Sequence, residues 1–175
     1  MTRALALALP FAVLLAGCQT MDELPTERVG QATLRLANGQ PAGTAQLLAS
    51  GSQVNITVAV AGMSEGVRGA HLHMVGKCDP PNFETAGGHL NPHDREHGHE
   101  NPAGAHFGDL PNITVGSSGT GTVSATLRGS REEALGHIFD GDGTAVVVHA
   151  GPDDYRTDPS GNSGGRIACG VLTRL

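Results

Sequence analysis

The sequence predicts an all-β domain, a sandwich or barrel of short strands with two long loops. Apolar and polar residues alternate with period two in several short runs, as half-buried strands require. Turn residues separate these runs, with 26 Gly among 175 residues. Helical periodicity is poor throughout. Short alternating strands joined by Gly-rich turns are the pattern of a β-sandwich or barrel. A chain of this length fits one domain with a sizeable core.

The N-terminus stands apart from that domain. Residues 1–17 carry Arg3, an apolar stretch over 4–15, and then Ala16 and Gly17 before Cys18. That is the layout of a secretory signal. The apolar run is shorter than the roughly 20 residues needed to span a bilayer. The segment Leu15-Ala16-Gly17-Cys18 resembles the bacterial lipobox, which implies cleavage before Cys18 and lipid on that residue. By the same resemblance Gln19 favours the outer membrane, so the expected location is the cell envelope, lipid-anchored and facing the periplasm. Polar residues 18–29, with Pro25, read as a lipidated N-terminus and tether. The domain proper is expected over 30–175.

From residue 31, Ala32, Leu34 and Leu36 alternate with Thr33, Arg35 and Ala37, which predicts a first strand. Asn38-Gly39 is a turn signal, followed by a strand near 44–48. Residues 53–60 form a third, with Val54, Ile56, Val58 and Val60 on one face. A fourth runs over 68–74. Residues 113–115, 120–127, 145–149 and 167–172 supply the rest. Residues 130–135 allow one short helical turn. His137 follows it and reads as structural or exposed. Two irregular stretches, 76–110 and 150–165, exceed the length usual for a connection without a task of its own.

Histidine carries the chemistry. The 9 His occur mostly in GAHLH at 69–73, GGHLNPHDREHGH at 87–99, AHFGDL at 105–110 and VVVHAGPDD at 146–154. Imidazoles and carboxylates at that density point to shared cations. His71 and His73 lie two apart on a predicted strand, so both side chains share one face. His149 ends another strand. Three such imidazoles suit copper or zinc. His89, His97, His106 and Asp109 share one loop, and three nitrogens with a carboxylate suit a tetrahedral zinc shell. His93 and His99 are further candidates by spacing alone.

The formal net charge is −6, and −7 once Arg3 is removed with residues 1–17. That excludes a basic nucleic-acid footprint. It also disfavours an anionic substrate unless the site focuses positive charge of its own. Of the 3 Cys, Cys78 and Cys169 remain if Cys18 carries lipid. An exported chain is expected to pair them.

Taken together, these motifs resemble the Cu/Zn superoxide dismutases of the bacterial exported type, over about residues 30–175. The resemblance implies an eight-stranded Greek-key β-barrel or sandwich, immunoglobulin-like, with two functional loops. It implies copper on His71, His73, His89 and His149, and zinc on His89, His97, His106 and Asp109, with His89 bridging the two. His93 and His99 then fall outside the ligand set and read as surface residues. Asp153 matches the carboxylate that links a copper histidine to a zinc histidine, with Asp154 its neighbour. Cys78 and Cys169 match the family disulfide. Arg166, in GGRIACG, matches the arginine that docks the substrate anion beside copper. The implied reaction is disproportionation of superoxide to dioxygen and hydrogen peroxide. His89 and Arg166 are its catalytic residues.

The chain also departs from the animal enzymes. The stretch from Cys78 to His89 is longer and that from His149 to Arg166 shorter. Lys77, Arg68 and Arg156 are candidates for a positive rim. A homodimer is an open option, because subunit contacts differ between branches of the family. Two rival readings use the same ligands without turnover: a lipid-anchored domain that buffers or delivers metal, and a structural zinc domain that has lost copper.

Overall fold

The structure, a computed structural model, describes residues 25–175. The expected signal at 1–17, the lipid on Cys18 and most of the tether lie outside the described residues. Among the described residues ten strands form: β1 (Thr26–Leu36), β2 (Pro41–Ser50), β3 (Gln53–Val60), β4 (Gly66–Arg68), β5 (Ala70–His73), β6 (Ile113–Val115), β7 (Gly121–Thr126), β8 (Ala145–His149), β9 (Arg166–Val171) and β10 (Thr173–Arg174). One helix, α1 (Arg131–Ile138), and a 3-10 turn at Glu84–Ala86 complete the set.

All strand pairings are antiparallel. The main sheet runs β5-β8-β9-β1-β2-β3-β7, with β10 against β1. β4 and β6 form a separate pair. β4 leads through Gly69 into β5, and β6 turns through Gly116–Gly119 into β7. The small pair therefore joins the two edge strands and curls the sheet into a barrel, which leaves few open edges.

Alternation drives this arrangement. Along β3, Val54, Ile56 and Val58 are fully buried while Asn55, Thr57 and Ala59 are half-buried. Register sets Ala45 opposite Val58, Leu47 opposite Ile56 and Ala49 opposite Val54. These cross-strand pairs face one core that also takes Leu34, Leu72, Ile113, Val146 and Val148.

Two differences from the sequence reading have plain causes. β1 begins at Thr26, so the last residues of the stretch read as tether already pair with Ala49 and Ser50. The backbone of a polar segment can join a ladder without apolar side chains to announce it. The expected helical turn at 130–135 is instead a helix reaching Ile138. Ser130 Oγ accepts from Glu133 N at its start, and Ala134, Leu135 and Ile138 seal one end of the core. Eight residues are too few to display a helical period.

The first long loop covers the free edge of β5. Leu72 N donates to Gly108 O, and Leu90 N donates to Leu72 O. Met74 N donates to Gly88 O, and Leu110 N to Ala70 O. The loop thus pairs His71 with Asp109 and His73 with His89 as isolated bridges. Cys78 and Cys169 form a disulfide, with Cα atoms 5.7 Å apart, that fastens the same loop to β9.

Candidate metal centre

His71, His73 and His149 each have one nitrogen committed to a hydrogen bond and the other turned inward. His71 Nε2 donates to Asp153 Oδ2 at 2.7 Å. His73 Nδ1 donates to Gly87 O at 2.9 Å, and His149 Nδ1 to Gly164 O at 3.1 Å. Those bonds fix the tautomers and leave His71 Nδ1, His73 Nε2 and His149 Nε2 as free lone pairs. All three atoms are buried without a hydrogen-bond partner, and so is His89 Nε2. Their ligand atoms lie within 4.8 Å of one another. Orphaned buried nitrogens are costly, so four converging on one point fit a metal ion.

The opposite side of His89 builds a second shell of ligands. Its Nδ1 lies 3.0 Å from Asp109 Oδ1 and 3.3 Å from His106 Nδ1. Asp109 Oδ1 is also 3.1 Å from His97 Nδ1 and 3.2 Å from His106 Nδ1. The His97 Nδ1 approach lacks hydrogen-bond alignment, since that atom is otherwise unpartnered. Three imidazole nitrogens crowd one carboxylate oxygen, while Asp109 Oδ2 accepts from Gly98 N and His106 N. A tetrahedral zinc ion with bonds of about 2.0–2.1 Å sets its ligands about 3.3 Å apart. The spacing matches. Proximity alone also places His71 in this group in place of His106. We favour His106, because its Nδ1 faces both His89 and Asp109, whereas His71 has its Nε2 on Asp153 and its Nδ1 in the other set.

Asp153 ties the two halves together. It accepts from His71 Nε2 through Oδ2 and from His97 Nε2 through Oδ1, the latter at 2.9 Å. Asp154 is turned outward and accepts from Thr157 and Asn162.

Electrostatics prepare the ligands. Burial, opposed by the Asp153 hydrogen bond, lowers the His71 pKa to about 3. Burial lowers His73 to about 2 and His149 to about 4. His89 is lowered too, again by burial first. These imidazoles stay neutral at neutral pH, as metal ligands must. His97 goes the other way: burial pulls it down, but Asp109 and Asp153 outweigh that and raise it to about 9. Both carboxylates are buried, yet their histidine hydrogen bonds hold them well below the usual range.

The profile described as "Copper/zinc superoxide dismutase (SODC)" matches residues 41–172. The chain belongs to the copper/zinc superoxide dismutase family. It is 43% identical over 140 residues to "Superoxide dismutase [Cu-Zn] 1" of Aquifex aeolicus, covering 77% of this chain and 81% of that one. It is 34% identical over 147 residues to "Superoxide dismutase [Cu-Zn]" of Caulobacter vibrioides, covering 81% and 83%. A crystal structure of a SOD-like protein from Bacillus subtilis superposes with a TM-score of 0.75 at 36% identity, covering 82% of this chain and 97% of that one. Membership in this family and the ligand chemistry above assign copper and zinc as the metals.

Superoxide dismutase-like relatives share the fold, so the residues around the centre matter as much as the match. Arg166 sits in the pocket that opens over His73, His89 and His149. Its Nη1 donates to Phe83 O and its Nη2 to Gly87 O, both at 2.7 Å. Gly87 O therefore orients Arg166 and His73 together. The positive residues lining the pocket are Arg166 and Arg95, and Asp94 and Asp158 line it too. The other rim candidates serve elsewhere. Arg156 pairs with Glu100 at 2.6 Å, and Arg68 bonds Ala150 O and Ser64. Lys77 does not line this pocket.

Sequence reasoning missed three supports. Asn112 bonds both the N–H and the carbonyl of Asp153. Asp158 Oδ1 accepts from His97 N at 2.7 Å. Gly161, at φ 62°, lies where a Cβ would be 1.9 Å from Asp153 Oδ1. Only glycine suits both that conformation and that approach. None of the three belongs to a spacing motif. His99 meets Tyr155 and takes no part in the centre. His93 and His137 also lie apart from it.

Proposed function

We propose that this protein disproportionates superoxide to dioxygen and hydrogen peroxide in the bacterial cell envelope. One observation carries the reading. His89 turns Nε2 toward the set of His71, His73 and His149 and Nδ1 toward that of His97, His106 and Asp109. On this reading His71, His73, His89 and His149 would hold copper, and His89, His97, His106 and Asp109 would hold zinc. Bound copper supplies a one-electron couple, oxidising one superoxide and reducing the next, while zinc has no redox chemistry.

The chain's residues supply the rest. His89 would carry one proton on Nε2 to the second superoxide. A second proton from solvent completes peroxide, so two superoxide anions and two protons yield dioxygen and hydrogen peroxide. Asp109 and His106 hold the other face of the ring and keep its direction. Arg166, fixed by Phe83 O and Gly87 O, presents its guanidinium to an anion in the pocket. Asp153 keeps His71 and His97 in the tautomers that aim lone pairs inward.

Residues 1–17 as an export signal, Cys18 as a lipid site, residues 18–29 as a tether and the 30–175 domain support an enzyme anchored at the outer membrane and facing the periplasm. The Cys78–Cys169 disulfide suits that oxidising compartment. Purified protein loaded with copper and zinc and then freed of excess metal is expected to hold one of each per chain and to consume superoxide rapidly. The His89→Ala protein, loaded with copper, is expected to lose fast turnover. Near-normal activity in that variant, or two metals in the wild type without turnover, would remove the basis for this reading.

A further inference from the structure

The loop that carries the zinc ligands meets α1 at a second group of ligand side chains. Glu133 and His137 stand at i and i+4 on α1, so they share one face of the helix. His93 reaches the same place from the loop. Its Nε2 is 3.7 Å from Glu133 Oε1, and His137 Nε2 is 3.9 Å from the same oxygen. The three ligand atoms lie within 4.8 Å of one another. Both approaches are too long for hydrogen bonds. Yet His137 Nε2 is shielded from solvent and has no hydrogen-bond partner. Its ring is held edge-on between Phe107 and His93, with centroids 5.4 Å from each. The Glu133 carboxylate lies over Gly129, at φ 82°, where a Cβ would stand 2.5 Å from Oε2. A glycine thus leaves the space that the carboxylate fills.

We propose that His93, Glu133 and His137 form a third metal site for a divalent transition ion of the zinc(II) class. Two imidazoles and one carboxylate, with an open side for water, are a recurring zinc donor set. Calcium and magnesium prefer all-oxygen shells, which this group does not offer. A tetrahedral ion needs ligand atoms about 3.3 Å apart. His93 and Glu133 have side chains 51% and 46% exposed, free to draw their ligand atoms in from the present spacing of up to 4.8 Å. That exposure makes the site exchangeable, unlike the buried centre. Its occupant fastens the segment between His89 and His97 to α1.

The site is independent of the dismutase reading and is tested separately from it. Protein already holding one copper and one zinc, freed of excess metal, is titrated with zinc(II) by calorimetry, with metal content measured after dialysis against a dilute zinc buffer. Wild type is expected to take one further equivalent. His93→Ala and Glu133→Gln are expected to lose that equivalent while keeping the first two metals and the loaded activity. Both substitutions are at exposed side chains, so the fold should survive them. Wild type that binds no further zinc would overturn the proposal, and so would both variants binding the third equivalent as wild type does.

Discussion

At the residue scale the centre depends on which nitrogen of each imidazole is spent. Asp153 decides this for two histidines at once, because each of its oxygens accepts one N–H, from His71 and from His97. Oδ1 also accepts from Tyr155 N. An amide cannot reproduce that arrangement. It has one acceptor oxygen, and its NH2 group would face a histidine N–H. In Asp153→Asn one ring must therefore turn or change tautomer, losing an inward lone pair. Losses of supporting hydrogen bonds around metal sites cost about 10–100-fold in affinity. Zinc binding by Asp153→Asn, measured by chelator competition, is expected to weaken by that factor. Unchanged zinc affinity would mean that Asp153 does not set the ligand geometry.

At the scale of elements, the centre exists because a loop is laid along an edge strand. β5 was legible as a strand carrying His71 and His73 on one face, since period two is written in its side chains. The bonds that bring His89 and Asp109 alongside are backbone bonds to Leu72, Ala70 and Met74, and these leave no pattern in side chains. Spacing and family resemblance made those residues candidate ligands; alternation did not. Gly161 and the Gly87 carbonyl stayed invisible for the same reason, acting through missing volume and backbone, while the Asn112 side-chain amide grips the Asp153 backbone from outside any spacing motif. The disulfide is the other device at this scale. It joins residues 91 apart and anchors the loop whose carbonyls, at Phe83 and Gly87, hold Arg166. On loop entropy it contributes about 4–5 kcal/mol. Replacing Cys78 and Cys169 by Ser is expected to lower unfolding free energy by about that much. It should also reduce kcat/KM in protein that still holds both metals, because Arg166 loses its fixed partners. Denaturant titration and steady-state assay test the two parts. A variant as stable and active as wild type would show the loop to be held by its strand bonds alone.

At the scale of the whole molecule, an acidic chain of net charge −6 keeps four neutral imidazoles and a raised one inside a single fold. That has a calculable consequence once the metals are removed. His71, His73 and His149 have folded pKa values of about 3, 2 and 4 against 6.5 unfolded. As pH falls below 6.5 the unfolded chain takes up protons that the native chain refuses, so native stability falls. Each such group costs on the order of 1 kcal/mol per pH unit until its folded pKa is reached. His97, raised to about 9, works in the opposite sense. Its stabilisation is complete below 6.5 and is lost as pH rises through 9. Asp109 and Asp153, held low, add stability above their unfolded value of 3.8 and lose it only in stronger acid, so they do not alter the range from 6.5 to 4. Metal-free protein is therefore expected to be most stable near pH 6.5–7 and to weaken steeply toward pH 4. With copper and zinc bound, protons must displace metal before they reach the same nitrogens, so the acid limb moves to lower pH. Denaturant midpoints across pH 4–9, with and without the metals, measure both limbs. A metal-free protein whose stability held level or rose from pH 6.5 to 4 would contradict neutral buried ligands, and with them the pre-formed character of the site.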